Sequence, residues 1–429
     1  MKSFFKQIVI KVLTIAARIT LYRHNPTIIA VTGSVGKTAT KDAIYAAIRP
    51  YRRIRKNEKS FNSEIGVPLT ILGLPNGWNS MVRWLVICTH AYAIALFSRD
   101  YPELIVLEAG VDSPGDMDNL TKWLKPHMVV LTRLPDVPVH VEHFSSPEAV
   151  VQEKLLLVKA LLENGVLVAN FDDLQIQNAA KSVTQKVVGY ARYTDTDYII
   201  RKDRTAYYDD QPTGIVFSLH HKDHEYEVQV QQSIGMQLVY VYTAAIAVAA
   251  QFEVSETEAI EALKTHISPP GRMRLLKGIK DSVLIDDTYN SSPVAAESAL
   301  QTLGELKYAK RKIAVLGDML ELGNYSIEQH RRIGSLVPGR ADILITLGVR
   351  SYETAAAALE AGLSEKCIFQ YDDVDRAGRE LQNMLQPGDA VLVKGSQAVR
   401  AERVVEEVMQ EPELASELLV RQDVEWSKR

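Results

Sequence analysis

A chain of 429 residues exceeds the size of one ordinary hydrophobic core, so two domains are the default and three can be accommodated. Hydrophobic residues make up 46% and charged residues 24%, which is typical of a globular protein and excludes a largely disordered chain. The net charge of -4 gives no overall basic field for nucleic acid. Cys88 and Cys367 lie far apart and outside any CxxC pair, which argues against a disulfide framework or a zinc site and indicates a reducing compartment.

Two apolar stretches, residues 4–22 and 81–97, are the candidates for a membrane segment. The first carries Lys11 and Arg18 and has no convincing signal-peptide cleavage site. The second is interrupted by Arg83 and His90 and is shorter than the ~20 residues that a spanning helix needs. Neither is predicted to cross a membrane. Helices packed against the protein body are the first expectation, and a contact with a membrane surface or a partner is the alternative.

A glycine loop follows the first predicted strand, at residues 27–31, and precedes a predicted helix at residues 39–48. The loop reads Thr32-Gly33-Ser34-Val35-Gly36-Lys37-Thr38. Backbone N–H groups of such a loop and the helix N-terminus can bind phosphate oxygens, Lys37 can neutralise phosphate charge, and the Thr38 hydroxyl can hold Mg²⁺. The common pattern has a glycine where this chain has Val31. The arrangement nevertheless predicts nucleotide binding.

Further apolar runs alternate with helical stretches and predict a mainly parallel sheet. They lie at residues 104–107, 128–131 and 166–169, and an antiparallel appendage is predicted at residues 191–230. Ser268-Pro269-Pro270-Gly271 is the best linker candidate, and new strand–helix alternations follow it. The fold class is therefore predicted as α/β, with a phosphate-loop domain at residues 27–267 and a Rossmann-like α/β domain at residues 268–429. Residues 1–26 are predicted to form an apolar helix, and the tail after Gln410 a solvated one.

Three further residues are candidates for chemistry. Glu108 ends the run 104–107, at the carboxyl edge of the predicted sheet, where an acid can serve as a Mg²⁺ ligand. His140 follows a proline-rich loop, and Lys154 lies in a helical stretch where a lysine usually faces water. Composition and spacing alone assign no role to His140 or Lys154.

A series of motifs resembles the Mur ligase family, in particular the members that add D-alanyl-D-alanine to a UDP-N-acetylmuramoyl tripeptide. The resemblance begins at the glycine loop and runs in order to about residue 405. The matching stretches are residues 62–68 (NSEIGVP), 107–110 (LEAG), 140–148 (HVEHFSSPE), 170–173 (NFDD), 271–272 (GR), 285–293 (IDDTYNSSP), 315–323 (VLGDMLELG) and 391–396 (VLVKGS).

The resemblance implies a role for each candidate residue. It implies catalytic roles for Lys37, Lys154, His140 and Arg272. It implies nucleotide contacts from Gly33, Ser34, Val35, Gly36, Lys37, Thr38, Arg272, Asp287 and Asn290, and Mg²⁺ ligands at Thr38, Glu108, His140 and Lys154. Lys154 falls where the family carries a lysine carbamylated by CO₂, which replaces a cation with an anion that can sit beside Mg²⁺.

The implied reaction is an ATP-dependent, ADP-forming ligation that uses two Mg²⁺ ions and proceeds through an acyl phosphate. UDP-N-acetylmuramoyl tripeptide and D-alanyl-D-alanine are the implied substrates, in peptidoglycan precursor synthesis. The implied location is the cytoplasm, with the inner face of the membrane as a finer alternative.

The chain also departs from the family pattern. Only about 26 residues precede the first strand, so we expect the family's N-terminal uridine-nucleotide domain to be absent, with residues 4–22 and 81–97 forming a surface in its place. Gln237 stands where the family usually has a histidine, and Val241 where it has an asparagine near the adenine. Relaxed selectivity for the base is therefore expected.

Other functions compete with this interpretation. One is another amide ligase of the same superfamily, of the folylpolyglutamate or poly-γ-glutamate type. A second is a non-catalytic ATP-binding scaffold, against which the intact Lys37, Glu108, His140 and Lys154 argue. A third is a simple phosphate-loop ATPase or kinase, which leaves the second-domain motifs unexplained.

Overall fold

A computed structural model describes residues 3–57, 64–78, 80–423 and 426. Asn62 and Ser63, which begin one of the family-like motifs, lie outside the described residues. The chain forms two sheets, one on each side of the Ser268–Gly271 linker. The predicted α/β class, with a mainly parallel sheet in each part, is confirmed. The domain boundaries predicted at residues 26/27 and 267/268 stay predictions.

The first part is built on nine strands in the order β2-β3-β1-β4-β5-β6-β7-β8-β9. Its strands are β1 (Thr27–Thr32), β2 (Ile54–Lys56), β3 (Leu104–Glu108), β4 (Met128–Leu131), β5 (Val166–Asn170), β6 (Lys186–Ala191), β7 (Tyr198–Tyr208), β8 (Gln211–His221) and β9 (His224–Gln231). Its helices are α1 (Ser3–His24), α2 (Lys37–Ile48), α3 (Gly66–Leu72), α4 (Met81–Phe97), α5 (Asp116–Thr121), α6 (Pro147–Lys159), α7 (Leu174–Ala180), α8 (Gln237–Ala250) and α9 (Glu256–Leu263).

Strands β1 to β7 pair in parallel, and the runs of branched apolar residues in β1, β3, β4 and β5 are buried because helices cover both faces. On one face, α2, α8 and α9 pack against the sheet. On the other face lie α1 and α3 to α7. Strands β7, β8 and β9 are antiparallel and form the predicted appendage; in β9, Val228 and Val230 are buried while Gln229 between them is exposed.

The second part has six strands in the order β10-β11-β15-β12-β13-β14, all parallel except β10. They are β10 (Arg274–Lys277), β11 (Val283–Asp287), β12 (Arg311–Gly317), β13 (Ile343–Leu347), β14 (Ile368–Tyr371) and β15 (Asp389–Lys394). Its helices are α10 (Pro293–Glu305), α11 (Ser326–Ser335), α12 (Tyr352–Glu360), α13 (Val374–Met384), α14 (Glu402–Val408) and α15 (Ala415–Leu418).

Each apolar stretch that raised the question of a membrane segment is a helix, α1 or α4. The two pack against each other and against α3, and their inner faces join the core beneath the first sheet. Among the described residues, no helix combines the length and the hydropathy needed to cross a membrane.

The predicted solvated helix after Gln410 is wrong. Residues 412–418 form a short 3₁₀ turn followed by α15, and Ala415 and Leu419 are buried in the core of the second part. The segment then places Arg421 against the loop that contains Thr288 and Tyr289, where the Arg421 side chain is only 4% exposed. The apolar residues Ala415 and Leu419 pack the tail against the second part. The prediction failed because the many charged residues of the segment suggested that it faces solvent.

Candidate active site

The glycine loop between β1 and α2 has the geometry of an anion-binding site. Gly33 has φ +140°, and a Cβ placed there would lie 2.1 Å from the Thr132 hydroxyl, so no larger residue fits. Gly36, at φ +85°, is the N-cap of α2 and, as a glycine, has no side chain with which to cap the helix. The N-terminus of α2 therefore opens directly on the glycine loop, where an anion is favoured by the helix dipole.

Four side chains meet at the start of α2. The Thr38 hydroxyl donates to Glu108 Oε2 at 2.8 Å, and the Arg272 Nη2 group donates to Thr38 Oγ1 at 3.2 Å. Burial lowers the pKa of Lys37, and Arg272 lowers it further, against the opposing charges of Glu108 and Asp112. Strand β3 supplies Glu108, α2 supplies Lys37 and Thr38, and Arg272 comes from beyond the linker. The site is thus assembled from both parts of the chain.

Arg272 is held by the second part of the protein. Its guanidinium lies 4.0 Å from the centre of the Tyr289 ring, a cation–π contact. Its Nε is buried and has no hydrogen-bond partner among the described residues. Since an unpaired buried donor is costly, this group fits an anionic ligand placed between Arg272 and the glycine loop.

Glu108 is positioned by two residues that the sequence did not single out. The Glu108 backbone N–H donates to Asn57 Oδ1 at 2.9 Å, and Lys41 Nζ donates to the Asn57 carbonyl at 2.9 Å. Asn57 is fully buried directly after β2. Strand β2 was not predicted from the sequence. Had it been, Asn57 could have been identified by the same criterion as Glu108, because both are polar residues at the carboxyl end of a parallel strand.

His140 lies at the contact between the two parts. It adopts a left-handed backbone conformation, with φ +69°, and its Nδ1 is 2.7 Å from Glu321 Oε2 of the second part. Its Nε2 is 3.6 Å from Asp112 Oδ1. The hydrogen bond with His140 lowers the pKa of Glu321. Glu321 belongs to the motif at residues 315–323, but the sequence assigned it no role, and its contact with His140 follows only from tertiary structure.

Lys154 is buried in α6, although a helical lysine usually faces water. Its side chain is 2% exposed, and burial together with the charge of Lys37 lowers its pKa to about 7, against the opposing charges of Asp112 and Glu153. The α6 register explains the burial, because Val150, Val151 and Leu157 lie on the same inner face. A substantial fraction of the Lys154 amine is therefore neutral near pH 7.

A cleft of about 360 Å³ extends from the glycine loop across the boundary between the two parts. Its walls include Ser34, Val35 and Gly36 of the loop, Tyr193, Met236, Gln237, Tyr240 and Val241 of the first part, and Arg272, Asp287, Asn290 and Lys394 of the second. Ser34 Oγ and Gln237 Oε1 are buried and have no hydrogen-bond partner among the described residues. Buried polar atoms without a partner usually mark a place where a ligand binds. Their position in a cleft beside an anion-favouring loop is consistent with nucleotide binding.

Asp287, expected at the ribose, forms an ion pair in this structure. Its Oδ2 lies 2.6 Å from Lys394 Nζ, which also donates to the Asn290 carbonyl at 2.9 Å. Burial raises the pKa of Asp287, while Lys394 opposes that rise. Lys394 ends β15 beside β11, so the pair fixes the loop that carries Asp287 and Asn290 on the cleft wall.

The same loop is held from behind by Arg421. Its guanidinium donates to the Thr288 carbonyl at 2.6 Å and to the Tyr289 carbonyl at 3.0 Å. It also pairs with the fully buried Glu402 at 2.5 Å. Because Tyr289 stacks on Arg272, the tail of the chain helps to position a residue of the site. This role of Arg421 was not predicted from the sequence.

The donors near Lys37 fit a hard cation, although the preformed site is incomplete. Within the described ranges, no three His, Cys, Asp or Glu side chains converge as a metal site. Thr38 and Glu108 are nevertheless two oxygen donors, 2.8 Å apart, beside a phosphate loop, and Mg²⁺ commonly takes one or two protein oxygens together with phosphate oxygens and water. Thr38 and Glu108 are therefore the residues that would hold it.

Comparison with known proteins gives consistent matches. The family models for the Mur ligase middle domain and for the Mur ligase glutamate ligase domain match residues 87–249 and 271–397. The UDP-N-acetylmuramoyl-tripeptide–D-alanyl-D-alanine ligase of Bacillus subtilis is 28% identical over 386 residues, which are 90% of this chain and 76% of the relative. The ligase of the same name from Mycobacterium bovis is 30% identical over 396 residues, covering 87% of this chain and 71% of the relative.

A solved structure agrees with the sequence relatives. The MurF ligase of Thermotoga maritima, crystallised in complex with ADP, superposes with a TM-score of 0.75 at 24% identity. The match covers 94% of this chain and 84% of that one. The shared fold, the two matched domains and the 30% identical relative establish that the chain belongs to the Mur ligase family.

Proposed function

We propose that this protein is an ATP-dependent ligase that joins the terminal carboxylate of UDP-N-acetylmuramoyl tripeptide to the amine of D-alanyl-D-alanine, forming ADP and phosphate. The observation that carries the proposal is the contact of Arg272, from beyond the linker, with Thr38 of the glycine loop. This contact brings a cation from the second part to the glycine loop, which supports assigning Arg272 to the γ-phosphate of a bound nucleotide. The names of the relatives supply the substrates.

The chemistry has two balanced steps. A carboxylate oxygen of the tripeptide attacks the γ-phosphorus of ATP, the bond to the β-phosphate oxygen breaks, and ADP leaves. The neutral amine of D-alanyl-D-alanine then attacks the carbonyl carbon of the acyl phosphate, phosphate leaves, and the amine loses a proton. Lys37 neutralises charge at the transferred group together with Arg272, which contacts Thr38 next to Lys37. A Mg²⁺ ion held at Thr38 and Glu108 would add electrostatic stabilisation of the phosphate oxygens.

Closure of the two parts protects the reactive acyl phosphate from water. The Arg272–Thr38 and His140–Glu321 contacts both cross between the parts, and the cleft lies between them. We propose that these contacts hold the closed arrangement during transfer, because water reaching the acyl phosphate would hydrolyse it.

The assignments of His140, Lys154, Asp287 and Asn290 are also part of the proposal. We assign His140 and Lys154 to a second Mg²⁺, with Lys154 as a carbamate formed when its neutral amine adds to CO₂ and loses a proton. The buried position of Lys154 close to Lys37 supports this, because an ammonium there would oppose both the neighbouring cation and a metal ion. Asp287 and Asn290 are assigned to the nucleotide, whose binding would compete with the Lys394 ion pair.

Peptidoglycan precursor synthesis consumes ATP, so we place the enzyme in the cytoplasm. A position at the inner face of the membrane is a finer proposal, which rests on the exposed apolar residues Ile15 of α1 and Leu85 and Leu96 of α4. Among the alternative amide ligases, the folylpolyglutamate and poly-γ-glutamate types are less favoured, because the two sequence relatives named above are UDP-N-acetylmuramoyl-tripeptide–D-alanyl-D-alanine ligases.

ADP formation tests the proposal. We expect release of ADP only when ATP, Mg²⁺, UDP-N-acetylmuramoyl tripeptide and D-alanyl-D-alanine are all present. Lys37→Ala should reduce the rate by at least about a hundredfold, since a preorganised cation at the transferred phosphate is lost. Lys181→Ala, an exposed lysine after α7, serves as the matched control. ADP release that does not depend on either acceptor substrate would instead indicate an ATPase.

A further inference from the structure

Helix α4 has an apolar face turned away from the protein. Successive residues of a helix are 100° apart, and the buried Trp84, Ile87, Ala91 and Ala95 define its inner face. The opposite face carries Val82, Leu85, Val86, Thr89, Ala93 and Leu96, with no charged side chain among them. Leu85 is 61% exposed and Leu96 is 50% exposed. A face of this kind on a soluble protein marks an interaction surface.

Helix α1 extends this surface with alternating apolar and basic residues. Ile8, Lys11, Ile15, Arg18 and Tyr22 are exposed and lie within one 80° sector of the helix, opposite its buried face. The Arg23 guanidinium ties the two helices together by donating to the Ala95 and Ser98 carbonyls at 2.5 and 3.2 Å. The exposed faces of α1 and α4 are called the helix-pair surface below.

The charge of the two helices is entirely positive. They contain Lys6, Lys11, Arg18, Arg23 and Arg83 and no aspartate or glutamate, whereas the whole chain has a net charge of -4. Lys11 and Arg18 stand between apolar residues on the exposed side of α1. Arg83 and His90 border the apolar face of α4. Apolar residues flanked only by cations match an environment that is apolar inside and negatively charged at its boundary.

We infer that the helix-pair surface binds the surface of an anionic lipid bilayer. The apolar side chains of α4 would enter the boundary between headgroups and acyl chains, and Lys11 and Arg18 would contact lipid phosphates. A second copy of the chain is a poorer occupant, because a twofold contact would set the same cations of each copy against one another. The bilayer satisfies both the apolar and the charged parts of the surface.

Binding through this surface leaves the candidate active site accessible. The inner faces of α1 and α4 pack on one face of the nine-stranded sheet, whereas α2 and α8, which adjoin the cleft, pack on the other face. The substitutions below therefore avoid the catalytic and nucleotide-binding residues. They replace side chains that already face solvent, which limits their effect on folding.

Flotation of the full-length chain with vesicles tests the inference. We expect co-flotation with vesicles of equal parts phosphatidylglycerol and phosphatidylcholine, and much weaker flotation with phosphatidylcholine alone or in high salt. Lys11→Glu with Arg18→Glu should lower the partition coefficient by about thirtyfold or more, since each lost cation weakens attraction to an anionic surface. Leu85→Glu with Leu96→Glu should abolish flotation.

A matched double variant separates the surface from general effects of added charge. Ile327→Glu with Leu359→Glu makes the same kind of change at two exposed apolar residues of α11 and α12, and it should float like the wild type. All variants should keep the wild-type melting temperature and ADP formation in solution. Failure of the wild type to bind anionic vesicles would overturn the inference, as would unchanged flotation of the Leu85/Leu96 variant. A wild-type dimer that this variant converts to a monomer, without vesicle binding, would identify a self-association surface instead.

Discussion

Lys154→Ala is expected to reduce ligase turnover by at least about a hundredfold while leaving the protein folded. The proposal gives Lys154 a negative charge, as a carbamate next to a metal ion, and alanine cannot supply it. The unmodified amine is 2% exposed, with a pKa lowered to about 7, so its neutral form is available to react with CO₂. Steady-state ADP formation measures the effect, and Lys159→Ala, an exposed lysine of the same helix, should stay near the wild-type rate.

The carbamate has a signature of its own. Wild-type protein equilibrated with ¹³C-bicarbonate should show a carbamate resonance that Lys154→Ala lacks, and acetate or formate should partly restore the activity of the variant. Carbamate formation should weaken as the pH falls below about 7, because the amine then becomes protonated. Full activity in Lys154→Ala, or an active wild type without any carbamate, would rule out this role.

Arg421→Ala is expected to lower the free energy of unfolding by about 2–3 kcal/mol, because it removes one of the two guanidinium partners of a buried carboxylate and leaves only Arg400. Glu402 is fully buried and Arg421 is 4% exposed, so the pair is shielded from bulk solvent. The Thr288 and Tyr289 carbonyls lose their donors as well. Urea denaturation measures the loss, and weaker ADP binding should accompany it because the loop next to Asp287 is loosened.

Arg403→Ala provides the comparison for Arg421→Ala within the same part of the protein. Arg403 pairs with Asp375 at 2.7 Å, but both side chains are well exposed, so the expected loss is below about 1 kcal/mol. Equal losses in the two variants would show that burial of the Arg421–Glu402 pair does not determine its contribution. If Arg421→Ala does not fold, Arg421→Lys, which keeps the charge but not the planar donors, should be intermediate.

The fold was predictable where a strand is a continuous apolar run between helices. Strands β1, β3, β4 and β5 were predicted within one residue of their observed ends, because burial on both faces leaves an unmistakable pattern. Strand β2, with three residues and two basic side chains at the sheet edge, has no such pattern. Strands β6 and β10 were not predicted either. Gly189 interrupts the apolar pattern of β6, and β10 follows the linker closely.

The candidate site was predictable only in part. The glycine loop is local in sequence, so Lys37 and Thr38 could be singled out from the residues alone. His140 and Lys154 required the family resemblance, since the burial of Lys154 and the contact between His140 and Glu321 depend on tertiary packing. Asn57 and Arg421 were missed because each reaches the site through a strand or a tail with no sequence pattern of its own.

Transfer of an oxygen isotope from the tripeptide to phosphate distinguishes a ligase that forms an acyl phosphate from an ATPase. UDP-N-acetylmuramoyl tripeptide labelled with ¹⁸O in its terminal carboxylate is incubated with ATP, Mg²⁺, D-alanyl-D-alanine and the wild-type protein, and the products are analysed by mass spectrometry. We expect a pentapeptide product and one ¹⁸O atom in each inorganic phosphate released, because the carboxylate oxygen leaves with the transferred phosphoryl group. ADP formed without pentapeptide, or phosphate free of the label, would contradict a ligase that works through an acyl phosphate.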